Sequence, residues 1–171
     1  MSRNMPPLPR LLASALLTAL LAGCGGLSPM YAGGGSGTVA RALSGVEVPS
    51  IQGQSGWLVR NALVDRLGAG GKDGARYRLD VRLDERLQGL GILSDDTVTR
   101  ERRTLRARFQ LVDLASGDVV LDATAGADAG LDVVSSEYAV IAAEQTALEN
   151  LSREVAGQIV TRVAVKLRKP Q

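Results

Sequence analysis

The chain has 171 residues, with 20 Lys and Arg against 18 Asp and Glu, no histidine, one cysteine and 3% aromatic residues. Without histidine there is no Ser/His or Cys/His pair to activate a nucleophile, and a zinc site lacks its usual ligands. Few aromatic rings to stack on bases, together with nearly balanced charge, leave nucleic-acid binding without support.

Residues 1–10 carry Arg3 and Arg10 and no acid, and residues 11–21 are Leu and Ala interrupted only by Ser14 and Thr18. A basic start followed by a short apolar run reads as a secretory signal peptide. The run is about half the ~20 residues that a hydrocarbon-spanning helix needs. Leu21-Ala22-Gly23-Cys24 resembles the lipobox of bacterial lipoproteins. Residues 1–23 are therefore expected to be removed, with Cys24 carrying diacylglycerol and an N-acyl chain and no other cofactor. Lying among Gly23, Gly25 and Gly26, this cysteine has no local side chains to bury it, and no histidine makes it a thiolate. Each buried CH₂ contributes about 0.8 kcal/mol, and three acyl chains exceed the two signals that stable anchoring needs. Gly25 stands where an aspartate commonly signals inner-membrane retention in enteric bacteria, which by analogy favours the inner leaflet of the outer membrane. Loss of Arg3 and Arg10 leaves 18 bases against 18 acids, a net charge of zero.

Residues 24–37 form a lipidated start and a flexible stretch, Ala32-Gly33-Gly34-Gly35-Ser36-Gly37, and residues 38–171 are long enough for one globular domain. Residues 38–48 are β-permissive and stop at Pro49, predicting a first strand. Ser55 is placed to cap a helix carrying Val59, Leu63 and Leu67 on one face and ending at Gly68. The loop from Gly68 to Gly74 has Asp73 after Lys72 where a P-loop needs Ser or Thr, and it leaves a helix for a strand; it reads as a connector. Tyr77, Leu79, Val81 and Leu83 alternate with Arg78, Asp80, Arg82 and Asp84, and Leu105, Ala107, Phe109 and Leu111 alternate with Thr104, Arg106, Arg108 and Gln110. A period of two with one polar face predicts two paired, half-wet strands. Ala115-Ser116-Gly117-Asp118 supplies a turn into a strand over residues 119–125. Over residues 138–167, Ala147, Leu148, Leu151, Val155, Ile159 and Val163 recur at spacings of three and four, predicting a long amphipathic helix. Ser135 or Ser136 offers its N-cap, acids lie early, bases lie late and Pro170 follows. The predicted fold class is α/β (α+β): a two-layer sandwich of a four-stranded sheet with two helices on one face, in the order β-α-β-β-β-α.

Cys24-Gly25-…-Pro29-Met30-Tyr31 resembles the start of mature lipopolysaccharide-assembly lipoproteins of the LptE family. "GILSDDTVTRERRTLRARFQLVDLASGDVVL" and "SSEYAVIAAEQTALENLSREVAGQIVTRVAV" are similar to the hairpin and last helix of its alphaproteobacterial members. The likeness covers nearly all of the mature chain. It implies an outer-membrane lipoprotein on the periplasmic face that helps the LptD β-barrel assemble, plugs its lumen and binds lipopolysaccharide, making and breaking no bond. Two readings from other classes stay open. One is an auxiliary lipoprotein or pilotin of another lipid-transport or secretion complex. The other is a tethered hydrolase using a pair such as Asp95/Asp96.

Arg100, Arg102, Arg106 and Arg108 are all even-numbered, so an unbroken strand over residues 98–111 projects them together, opposite Leu105 and Phe109. Guanidinium forks match phosphate and carboxylate oxygens, which makes this stripe the candidate for lipopolysaccharide or acidic groups of a barrel wall. The competing reading is a solvated face in which Asp80 and Asp84 pair across with the arginines. Gly89-Leu90-Gly91-Ile92-Leu93 reads as an apolar loop between wet-faced strands, with Leu90, Ile92 and Leu93 contacting the barrel wall or acyl chains, or folding back over the core.

Overall fold

The computed structural model describes residues 37–68, 74–92 and 98–168. The expected signal peptide, Cys24, nearly all of the Gly-rich stretch, Leu93, Asp95, Asp96 and Pro170 lie outside the described residues. The elements are α1 (Thr38–Ser44), β1 (Val46–Glu47), α2 (Gly53–Leu67), β2 (Tyr77–Ile92), β3 (Val98–Asp113), β4 (Val119–Asp132) and α3 (Glu137–Arg168). The strands form one mixed sheet in the order β1-β2-β3-β4, with β1 parallel to β2 and the rest antiparallel. The predicted α+β order β-α-β-β-β-α stands, with one helix added before it.

That added helix corrects the strand expected over residues 38–48. Residues 38–44 are helical, and only Val46 and Glu47 pair with β2. Val39 and Leu43 are four apart, so one helical turn turns both toward the core, where Leu43 is buried. The Arg41 amide donates to the Gly37 carbonyl at 3.0 Å, closing the first turn. Gly45 ends α1, and its carbonyl accepts the amides of Arg76 and Tyr77. The N-cap of α2 is also one turn earlier than Ser55: Gln52 occupies it, and Ser55 and Gly56 are buried. A Cβ on Gly56 would stand 2.6 Å from the Ile51 carbonyl oxygen, so the chain turns into the helix too tightly for any side chain there. Gly68, with φ of 67°, ends α2 as expected and donates to the Val64 carbonyl at 3.1 Å.

β2 and β3 each run 16 residues, in register Leu79↔Leu111, Val81↔Phe109 and Leu83↔Ala107. Odd-numbered residues face the helices and even-numbered ones face away. Leu79, Leu105, Phe109 and Leu111 are fully buried, whereas Arg102, Arg106 and Arg108 are exposed. The apolar loop expected from Gly89 onward is corrected by the same ladder as far as Ile92: Gly89 pairs with Glu101, Leu90 with Arg100 and Ile92 with Val98. Backbone pairing, which does not depend on apolar alternation, carries β2 past the point where the pattern fades. Leu90 therefore stands half-exposed on the even-numbered face and does not fold over the core. The turn after β3 forms as read, with Gly117 at φ 79° and its amide on the Asp113 carbonyl at 2.8 Å. β4 continues to Asp132, seven residues beyond expectation, because alanines and glycines with weak strand preference still complete the ladder to Arg100.

α3 is 32 residues long, about 48 Å at 1.5 Å per residue. Its buried stripe, including Leu148, Leu151, Val155, Ile159 and Val163, lies over β3 and β4, where Ala125 and Ala127 leave room for it. α2 lies beside it and runs the same way, since Gln54 meets Gln145 while Arg66 approaches Gly157. No described helix is long and apolar enough to cross a membrane.

Candidate functional site: the charged face of the sheet

All three helices pack on the odd-numbered side, which leaves the even-numbered side as a broad polar surface. Arg102, Arg106 and Arg108 project from it, and Arg100 shares their parity, so the predicted stripe exists. Its partners differ from those expected. Arg106 meets Asp128 at 2.9 Å, Arg108 meets Asp122 at 2.9 Å and Arg100 meets Asp132 at 3.1 Å, all on β4. Asp80 and Asp84 do not reach across; they take Arg78 and Arg86 of their own strand, at 3.0 and 3.2 Å. Residues two apart on a strand share a face, so short acids satisfy arginines there without crossing to β3.

The geometry on β4 depends on a missing side chain. Gly126 is directly opposite Arg106, and a Cβ there would lie 2.5 Å from the Arg106 Cδ. Arg106 therefore lies flat across Gly126, donates to the Ala127 carbonyl at 3.1 Å and reaches both Asp128 carboxylate oxygens. Thr104 donates to the same carboxylate at 2.6 Å. Asp128 is held below the usual carboxylate range, first by the Thr104 hydroxyl and then by Arg106. Asp122 accepts from Arg108 and from the Gln110 amide, and its pKa falls to about 2, with Arg108 the larger cause. Both shifts run downward, opposite to what a general acid needs. Among the described residues no group of three or more metal-ligating side chains comes together.

Two features went unread in the sequence. Asp128 and Asp132 fall beyond the predicted end of β4, although their even parity with Asp122 would have placed them beside the arginines. Gln158 of α3 clasps the edge of β4, accepting from the Gly126 amide at 3.2 Å and donating to the Gly126 carbonyl at 3.0 Å. Beside that clasp, Arg82, Arg106, Arg108, Thr124, Gly126 and Arg162 line an open cavity of about 650 Å³. At the far end of the sheet, on the helix side, Arg103 links Glu85 at 2.9 Å to the Glu144 carbonyl at 2.9 Å and so ties β2 and β3 to α3.

Three solved structures share this architecture. A lipoprotein from Caulobacter crescentus CB15 is 26% identical, with a TM-score of 0.67, covering 77% of this chain and 97% of its own. Rare lipoprotein B from Shewanella oneidensis is 14% identical, with a TM-score of 0.55 and coverage of 70% and 92%. A minor lipoprotein from Acinetobacter baumannii is 20% identical, with a TM-score of 0.55 and coverage of 70% and 88%. No curated protein sequence matches the chain. The LptE family model, described as lipopolysaccharide-assembly, matches residues 43–163, from the end of α1 to the last turns of α3, and spans every strand. The chain therefore belongs to the LptE lipopolysaccharide-assembly family.

Proposed function

We propose that this member of the lipopolysaccharide-assembly family is an acylated outer-membrane lipoprotein that docks in the lumen of the LptD β-barrel, plugs it and binds lipopolysaccharide in transit. The observation that carries this reading is the sheet face that no described element covers, with arginines held to aspartates row by row. A barrel lumen is wide and polar, and filling it calls for a surface rich in hydrogen-bonding groups and poor in adhesive apolar area. Ion pairs at 2.9–3.1 Å hold the guanidinium planes in place, so the face is preorganised for contact with a polar wall. The role is one of shape and surface, without a reaction, and Cys24 with its acyl chains supplies the membrane tether.

The test is purification of the tagged full-length protein in mild detergent and identification of the barrel that accompanies it. LptD is expected in stoichiometric amount; a different secretion or lipid-transport barrel in its place would overturn the reading. Charge reversal at both Arg106 and Arg108 places four carboxylates together with Asp122 and Asp128. It is expected to reduce barrel recovery and lipopolysaccharide binding together.

A further inference from the structure

Not every cation on the open face is neutralised. Arg82 stands on β2 between the Arg78–Asp80 and Arg86–Asp84 pairs and directly opposite Arg108, and it makes no ion pair or hydrogen bond among the described residues. Arg162, on α3, is likewise without such a partner among the described residues. Both residues line the same open cavity of about 650 Å³, together with small residues such as Ala107, Ala125 and Gly126. The other two arginines of the lining are committed: Arg106 to Asp128 and Arg108 to Asp122. The one acid in the lining, Asp84, is taken by Arg86. The cavity thus presents two uncommitted guanidinium groups and no uncommitted carboxylate. One turn before Arg162, the Gln158 clasp on Gly126 fixes where the helix meets the sheet edge.

We propose that Arg82 and Arg162 form a two-pronged binding site for a phosphate dianion, bridging β2 and α3 across the open cavity. The inference deepens the lipopolysaccharide reading above and rests on it. Two like charges facing one cavity repel until a dianion enters, and each planar fork offers paired donors to phosphate oxygens. The stripe arginines are poorer candidates, because a ligand that took Arg106 or Arg108 would have to displace the aspartate already bonded to it. A phosphate bound only by the folded protein also staples the helix to the sheet and raises stability by mass action. The phosphate group has two sources, a lipid headgroup or free phosphate, which the experiment separates.

The full-length protein in mild detergent is titrated with inorganic phosphate. In parallel it is titrated with phosphatidylcholine vesicles containing either bisphosphorylated lipid A or its dephosphorylated form. Arg82→Gln and Arg162→Gln are each expected to weaken phosphate binding about tenfold, the loss of one charged hydrogen-bonding fork. Arg41→Gln, on α1 and outside the cavity, is expected to bind as wild type. The same pattern with bisphosphorylated vesicles assigns the site to a lipid headgroup; the pattern with inorganic phosphate alone assigns it to free phosphate. Arg82→Lys, which keeps charge and loses the fork, gives an intermediate affinity and guards against a folding defect in the glutamine variant. Unchanged phosphate affinity in both glutamine variants overturns the site. Barrel recovery separates this from the parent reading. Variants that bind phosphate normally and recover LptD refute only the site, whereas wild-type protein that recovers no LptD refutes the parent reading whatever the titration shows.

Discussion

Asp122 receives Arg108 Nη2 at 2.9 Å and Gln110 Nε2 at 2.9 Å, and these bonds lower its pKa from 3.8 to about 2. Because the folded value is depressed, the stabilisation is fully present above about pH 4 and is lost as pH falls toward 2. Asp122→Asn is therefore expected to lower the unfolding midpoint slightly at pH 7 and to converge with the wild type as pH falls toward 2, flattening the acid limb, as thermal melts across pH would show. Ser152 is the opposite case. It is 1% exposed within the apolar stripe of α3, and its hydroxyl has no hydrogen-bond partner among the described residues. A buried hydroxyl without a partner costs about 1–3 kcal/mol, so Ser152→Ala is expected to raise the unfolding free energy by about 1 kcal/mol in urea melts. The parity of the arginines was legible in the sequence, since alternation needs only a period of two. Their partners were not, because a carboxylate 14 or 22 residues away becomes a neighbour only once the register of β3 on β4 is set.

The elements rest on two devices, long apolar periodicities and a few glycines in close contacts. Gly56 is the second kind: a methyl there meets the Ile51 backbone at 2.6 Å, and a backbone atom cannot swing aside as a side chain can. Gly56→Ala is expected to cost about 2 kcal/mol, in the range of overpacked cores, measured by chemical denaturation with unchanged helix content by circular dichroism. Such close approaches leave no trace in composition, and Gly56 reads in the sequence as an ordinary glycine inside a helix. Local preference also misled at α1, where β-permissive residues form a helix because the helix delivers Leu43 to the core. It misled again at Gly89 and Leu90, which belong to β2 because β3 supplies their backbone partners. By contrast, α2 and α3 were readable almost to their ends, since an apolar repeat sustained over several turns admits one period only.

At the scale of the molecule, membership of the lipopolysaccharide-assembly family joins a single folded unit to the proposed tether at Cys24. α1, the first described element, packs against α3 and shares a cavity with Leu167, at the end of α3 opposite Glu137. Inhibition of lipoprotein signal peptidase by globomycin is expected to accumulate the precursor, and intact-mass measurement of the native protein to show an acylated cysteine. A free thiol at Cys24 would remove the tether and, with it, the proposed seat in the barrel.

Linear order alone determined the lipobox-like start, the alternating strands, the two amphipathic helices and the resemblance to the family. Each of these is a local period or a short motif, and its physics acts within a few residues of chain. Tertiary structure decided which of the four arginines lining the cavity are neutralised, which two of them are not, and where α3 closes on β4. Those outcomes depend on strand register and helix docking, which bring together groups as far apart as Arg82 and Arg162 and which no local pattern encodes.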